Sequence, residues 1–244
     1  MSRIEIQREL CIGCGKCVKE CTAKNLQIID GKAESLQKDC FECGHCYAVC
    51  PQKAVRMPDY DDSACTEAAE WKSVAPEDLL SLMQSRRSVR FFTDEPVSEE
   101  DLHLILQAGR YSPTACNMQD VHFTILKDDV TSVDREAMRY PKFGSGAVSD
   151  QSFFNGAPLV ILLSAVRMEN AALVASYMEL MIASLGLGAF YSGFFKNTVN
   201  GNPELKKYLK IPEEKTPVIC LVVGHPAVKF KRIPPRKPAE FTRF

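Results

Sequence analysis

Long hydrophobic runs are missing from this 244-residue chain, and residues 180–195, an uncharged stretch, stop short of the roughly 18–20 residues that a membrane span needs. The start, Met1, Ser2, Arg3, Ile4, Glu5, lacks the charged-then-apolar pattern of a secretory leader. No charge of one sign dominates: 30 basic residues against 31 acidic ones leave a net charge of -1, with no global reason to expect nucleic acid or an anionic membrane as partner. Neither a P-loop nor a G-x-G-x-x-G dinucleotide fingerprint occurs. We therefore expect a soluble, cytoplasmic protein with no nucleic-acid and no membrane partner. Its 45% hydrophobic content can bury one substantial core and leaves room for a small second module.

What the chain has in excess is cysteine, with 11 residues, and without a leader a metal reading outweighs a disulfide framework. Cys11, Cys14, Cys17 and Cys21 recur as Cys40, Cys43, Cys46 and Cys50, every member displaced by 29 positions, so the segment is a duplication. Each run reads C-x-x-C-x-x-C-x-x-x-C. The tight triple suits three corners of an iron–sulfur cubane, with the fourth cysteine ligating the other cluster. The implied ligand sets are Cys11, Cys14, Cys17 with Cys50, and Cys40, Cys43, Cys46 with Cys21. Zinc needs four ligands and has no use for the third cysteine at this spacing. Two clusters also explain how residues 1–58 fold, since so short a stretch builds little apolar core. With Pro51 after Cys50, the segment resembles bacterial two-cluster ferredoxins, although Thr22 follows Cys21 where a second proline is usual.

Residues 59–70 carry Asp59, Asp61, Asp62, Glu67 and Glu70 and no base, the composition of a solvated linker spanning 59–75. Pro76, Glu77 and Asp78 then open a helix, with proline in its first turn and acids at the positive end of its dipole. Beyond it, apolar strands at 121–126, 159–164 and 218–223 alternate with helices at 98–110, 170–187 and 203–210. The expected class is α+β, a small two-cluster domain followed, over 76–244, by a domain with a central sheet flanked by helices. Residues 171–185 contain one charge, Glu179, and their apolar circumference calls for burial on all sides, in a monomer core or against a second subunit.

Arg86, Arg87, Ser88, Val89 and Arg90 follow the first helix. In an extended segment Arg86, Ser88 and Arg90 project to one side, two guanidinium forks and a hydroxyl that suit a phosphate dianion. Downstream stand Pro113, Thr114, Ala115, Cys116, Asn117, Met118 and Gln119. Both segments resemble the FMN-dependent nitroreductase family, with its R-R/H-S-x-R/K run after the first helix and its P-S-x-x-N-x-Q loop about thirty residues later. Thr114 keeps the hydroxyl of the usual serine, and Asp120 stands where proline is common.

The resemblance implies FMN, with Arg86, Arg87, Ser88 and Arg90 at its phosphate and the two-sided amides of Asn117 and Gln119, held by Pro113 and Thr114, at its ring edge. It also implies that Ser192 and Gly193 approach the ring by backbone, and that Arg236 and Lys237, in the basic tail of residues 229–244, close on the phosphate. A homodimer with FMN near the subunit boundary follows from the same likeness. The expected chemistry is an oxidoreductase in which electrons pass through two 4Fe–4S clusters to FMN and on to a small acceptor, a nitroaromatic or a quinone, with reduced ferredoxin or NAD(P)H as electron donor and hydride delivered straight to the flavin by NAD(P)H as the alternative route. The other readings are an electron relay for a larger redox enzyme, and a nitroreductase-like fold with different chemistry such as dehalogenation or dehydrogenation. Of the three remaining cysteines, Cys220 belongs to an apolar strand and reads as core.

Overall fold

The computed structural model describes residues 4–36, 38–61, 65, 73–140 and 152–244. Much of the expected acidic linker, 62–64 and 66–72, lies outside the described residues. The chain divides into two compact units, Met1–Ser73 with Ala115–Met118, and Val74–Thr114 with Gln119–Phe244. Among the described residues no helix is long and apolar enough to cross a membrane.

In the first unit β1 (Glu5–Ile6) pairs antiparallel with β4 (Val55–Arg56), and β2 (Leu26–Ile29) with β3 (Lys32–Ser35). Between the strands lie two short helices, α1 (Lys16–Glu20) and α2 (His45–Ala48). The duplication is visible in the backbone. Left-handed φ angles occur at Gly13 and Glu42, at Gly15 and Gly44, and at Lys24 and Lys53, three pairs each separated by the same 29 residues. Gly13 has a second reason to be glycine, because a Cβ there would meet the carbonyl oxygen of Gly31 at 2.0 Å. The core is small: Ile4, Leu26, Ala33, Ala54, Val55 and Met57 pack around the buried Cys11, Cys17 and Cys46.

The second unit is a four-stranded antiparallel sheet in the order β5-β6-β8-β7, comprising β5 (His122–Leu126), β6 (Leu159–Ala165), β7 (Gly188–Tyr191) and β8 (Thr216–Gly224). β6 is buried along its whole length. Its period of two divides the work: Leu159, Ile161 and Leu163 meet α4 (Glu99–Arg110) and α6 (Met168–Ser184), while Val160 and Leu162 meet α5 (Val130–Ala137) and α7 (Gly193–Gly201). The sheet thus lies between two helix layers, each side chain contributing about 1.5–3 kcal/mol by leaving water. α3 (Pro76–Ser85) opens the unit, with Pro76 at its start and Glu77 and Asp78 in its first turn, and α8 (Pro203–Tyr208) precedes β8.

The expected strands and helices are present with ends shifted by a few residues. In the second unit α5, β7 and α7 were not foreseen in the sequence, and in the first unit no strand or helix was. β7 has only four residues, and its Gly188 admits Val89 so closely that a Cβ would lie 2.4 Å from Cγ2 of that valine. Burial of α6 on all sides does not hold within the chain. It buries Ala171, Val174, Ala175, Met178 and Ile182, but Leu173 and Tyr177 on its other side are 43% and 45% exposed. The reason is its position in the outer layer of a three-layer unit, which offers the helix only one apolar neighbour face.

Asp120, which departs from the expected loop pattern, has a clear task. Its carboxylate accepts from the N–H groups of Val166 and Arg167, both at 3.0 Å, and from Nδ2 of the buried Asn170 at 2.6 Å, so it caps the start of α6 from a distance. Burial works against its charge, but the Arg167 N–H, the Asn170 amide and the Val166 N–H outweigh it and hold the carboxyl below its ordinary value of 3.8. Asp120→Ala should cost about 1–2 kcal/mol in denaturant unfolding, the range of a lost helix cap. Because the native carboxyl titrates low, the difference from wild type is full above pH 3.8 and disappears as the pH falls through the native value. A variant equally stable at neutral pH contradicts the capping role.

Candidate functional site

The eight repeat cysteines surround two separate cavities in the first unit. One, with about 360 Å³ of empty space, is lined by Cys11, Cys14, Cys17 and Cys50. The other, about 380 Å³, is lined by Cys21, Cys40, Cys43 and Cys46. Each cavity therefore collects three cysteines from one repeat and the last from the other. Among the described residues no group of three or more His, Cys, Asp or Glu closes on a single ion. Backbone donors point at the sulfurs in repeat-related pairs: Gly13 N to Cys11 Sγ at 3.4 Å and Glu42 N to Cys40 Sγ at 3.4 Å, then Asn25 N to Cys21 Sγ at 3.3 Å and Ala54 N to Cys50 Sγ at 3.2 Å. Ala33 N also donates to Cys11 Sγ, at 3.3 Å.

Oriented N–H groups around soft sulfur donors fit a thiolate-bound cluster, which stays more negative than its surroundings. Two of the sulfurs lie where burial opposes the thiolate form, whereas at Cys11 burial is outweighed by the Ala33 and Gly13 N–H groups, which hold the thiol below its ordinary value. Burial pushes the Cys46 thiol up to about 11, against the Tyr47 N–H, and crowding by Cys40 and Cys43 adds to the rise. Cys17 is raised for the same reasons, burial first.

In the second unit, residues 86–93 run extended beside the sheet. Val89 N donates to the Ala189 carbonyl at 2.9 Å, Ser88 bridges Ala189 in parallel, and Thr93 N and Ala227 N fasten the segment to His225 and Phe91. This lays Arg86 and Arg87 along a cavity of about 640 Å³ of empty space, open to solvent, that is also lined by Glu179, Gly188, Val228 and Phe230. Arg86 Nη1 binds Glu179 Oε1 at 2.9 Å, and the Tyr191 hydroxyl donates to Glu179 Oε2 at 3.1 Å. Burial, then the Glu179 carboxylate, holds the Tyr191 phenol well above its ordinary range, so it remains a donor. A guanidinium has five N–H donors, and Glu179 takes only part of that capacity.

The other expected residues are distributed as follows. Ser88, half-buried, and Arg90, exposed, are both outside that cavity's lining, and the Arg90 carbonyl accepts from Asn155 at 3.2 Å. Thr114 and Gln119 line a second cavity, and Thr114 Oγ1 accepts from Gln119 N at 3.0 Å, fixing the loop that Pro113 enters. Cys116, Asn117 and Gln119 have φ of 50°, 54° and 47°, a concentration of left-handed non-glycine residues that stores strain in one loop. Asn117 belongs with Ala115–Met118 to the first unit, where its Nδ2 donates to the Glu42 carbonyl at 2.8 Å. Ser192 is buried and its hydroxyl donates to the Phe153 carbonyl, so its side chain serves packing, while Gly193, exposed, begins α7 with its N–H outside the helix's own hydrogen bonds. Arg236 and Lys237 are exposed in the tail. Sequence reasoning missed Glu179 as a site residue, although it is the lone charge in residues 171–185. Cys220 is buried in the core as expected, and burial raises its thiol far above the ordinary range.

Residues 83–225 match the nitroreductase family and residues 4–57 the 4Fe-4S dicluster domain. The chain belongs to the nitroreductase family. It is an oxidoreductase with a ferredoxin domain at its N-terminus. An FMN reductase (NAD(P)H) of Bacillus subtilis is 29% identical over 191 residues, 67% of this chain and 71% of that protein. A putative NADH dehydrogenase/NAD(P)H nitroreductase of Archaeoglobus fulgidus is 23% identical, over 62% of this chain and 86% of that one. Among solved structures, a nitroreductase with bound FMN from Bacteroides fragilis has a TM-score of 0.58 and 21% identity, covering 68% of this chain and all but 1% of its own. That likeness establishes the fold of the second unit.

If the cavities hold clusters with crossed ligands, Cys50→Ser and Cys11→Ser should perturb the same one of two electron paramagnetic resonance signals, and Cys21→Ser and Cys40→Ser the other. Anaerobically purified wild type should contain eight iron atoms per chain, four from each cluster. Pairing of Cys50 with Cys40 instead, or zinc in place of iron, contradicts the assignment.

Proposed function

We propose that this chain is an FMN-dependent oxidoreductase that takes electrons singly through two 4Fe–4S clusters and delivers them in pairs to a small nitroaromatic or quinone. The observation that carries the reading is the presence, in one chain, of eight cysteines around two cavities and of a nitroreductase-family unit with an arginine-lined cavity. FMN supplies the chemistry that joins the two, because it exchanges electrons one or two at a time. The chain's own residues bind and orient. Arg86 and Arg87 hold the phosphate, with Ser88 beside them on the same extended segment. Gly193 offers the first N–H of α7 to the ring, and Thr114 keeps Gln119 in place at its edge. No side-chain acid–base pair is required.

Reduced ferredoxin is the donor that fits the cluster route; relatives named for NAD(P)H support the alternative, a nicotinamide that gives hydride directly to FMN without a dinucleotide-binding domain of its own. A cytoplasmic setting, where thiols stay reduced, suits the chemistry of the cysteines. A homodimer is supported by apolar surface that the described residues leave exposed: α3 buries none of its residues, Leu80 is 54% exposed, and Leu173 and Tyr177 stand out from α6. Sedimentation at low micromolar concentration should then show one species near twice 27.2 kDa, and a monomer that turns over contradicts the dimer.

Arg86→Ala should weaken FMN about 10–150-fold, the effect of losing one charge-assisted bond of about 1.5–3 kcal/mol, while riboflavin, which lacks the phosphate, binds as it does to wild type. Fluorescence titration reads both. Unchanged FMN affinity in Arg86→Ala and Arg87→Ala would place the phosphate elsewhere.

A further inference from the structure

The two sulfur cavities share a backbone but not a charge environment. The duplication gives each the same left-handed positions and the same repeat-related pairs of N–H donors to sulfur, and Ala33 N adds a further donor to Cys11 Sγ that favours the same cavity. Side chains differ. Lys32 Nζ donates to the carbonyl of Cys11, and Lys16 lines the cavity of Cys11, Cys14, Cys17 and Cys50. At the repeat-related positions of the other cavity, Glu42 stands for Gly13 and His45 for Lys16, and among the described residues its lining contains no lysine or arginine. Arg8, near Cys11, is paired with Glu34 and adds little.

We propose that Lys32 makes the cluster held by Cys11, Cys14, Cys17 and Cys50 the first of the two to accept an electron. Reduction adds one electron to a cluster and no proton: one iron goes formally from ferric to ferrous, and the cluster with its four thiolates becomes more negative by one charge. A nearby ammonium lowers the free energy of that more negative state and a carboxylate raises it, so charge and hydrogen bonding set the potential. Oxidised and reduced clusters differ by a whole charge, and at distances of several ångströms in a partly solvated protein such a pair term is on the order of a tenfold change in equilibrium. An electron arriving from a one-electron donor such as a reduced ferredoxin therefore comes to rest on this cluster before the one held by Cys21, Cys40, Cys43 and Cys46 is filled. The inference rests on the ligand sets proposed above, which iron content and the cysteine variants test separately.

The experiment is an equilibrium redox titration of the full-length, anaerobically purified protein, with dithionite as reductant and the cluster paramagnetic signals as readout. Wild type should show two separate one-electron waves. Lys32→Gln should move the higher wave to more negative potential by about a tenfold change in its reduction equilibrium, roughly 60 mV, and leave the lower one in place. Lys32→Arg, which keeps the charge, should restore it. Glu42→Gln should raise only the lower wave, and this arm decides the matter if Lys32→Gln does not load eight irons. Coincident waves in wild type overturn the proposal, as does a Lys32→Gln shift confined to the lower wave or absent from both. An unmoved lower wave in Glu42→Gln overturns it too.

Discussion

Sulfur burial is the physical constraint on the first unit: Cys17 and Cys46 lie where burial opposes the thiolate form that cluster ligation requires. Its apolar core is a handful of side chains, three of them cysteines, and burial, with the neighbouring Cys40 and Cys43, drives the Cys46 thiol away from the charged form. Cluster iron reverses the sign of the problem: it takes up the sulfur charge, and the N–H groups of Gly13, Asn25, Glu42 and Ala54, which have sulfur as their acceptor, become stabilising contacts to an anion. Folding of this unit and its capacity for electrons therefore have the same cause.

The second unit depends on water exclusion instead. β6 is covered on both faces, and the layers above and below it fix the strand ends and helix starts from which the site residues project. The extended run from Arg86 to Thr93 is placed by main-chain bonds to β7 and to His225, and it sets Arg86 and Arg87 along the cavity, where Arg87 Nη1 donates to the Arg86 carbonyl. Glu179 then orders Arg86 from α6 and reaches Tyr191 on β7 through its second oxygen, tying three elements at one carboxylate.

Much of this was legible along the chain because the signals are local. Cysteine spacing carries the crossed arrangement, since the displacement by 29 residues is itself the symmetry. The buried strands announce themselves by apolar runs, and the start of α3 by its proline and acids. What was not legible is long-range. The pairing of Arg86 with Glu179 joins residues 93 apart, and no pattern near either predicts it. The amide of Asn117 meets a carbonyl 75 residues away. β7 is too short for a period-two signal, and the exposed side of α6 is apolar in sequence, so composition implied cover that a single chain does not provide. Asp120 read as a departure from a loop pattern, and only the fold reveals it as the cap of α6.

In the proposed route the clusters feed FMN within one chain, and covalent linkage replaces diffusional encounter. The most direct test is anaerobic stopped-flow mixing of the full-length protein with a reduced ferredoxin, following cluster and flavin absorbance together. Bleaching of the clusters ahead of the flavin, with flavin reduction largely abolished in Cys46→Ser while FMN stays bound, is the predicted result. Flavin reduced before either cluster bleaches, at a rate indifferent to Cys46→Ser, would contradict it.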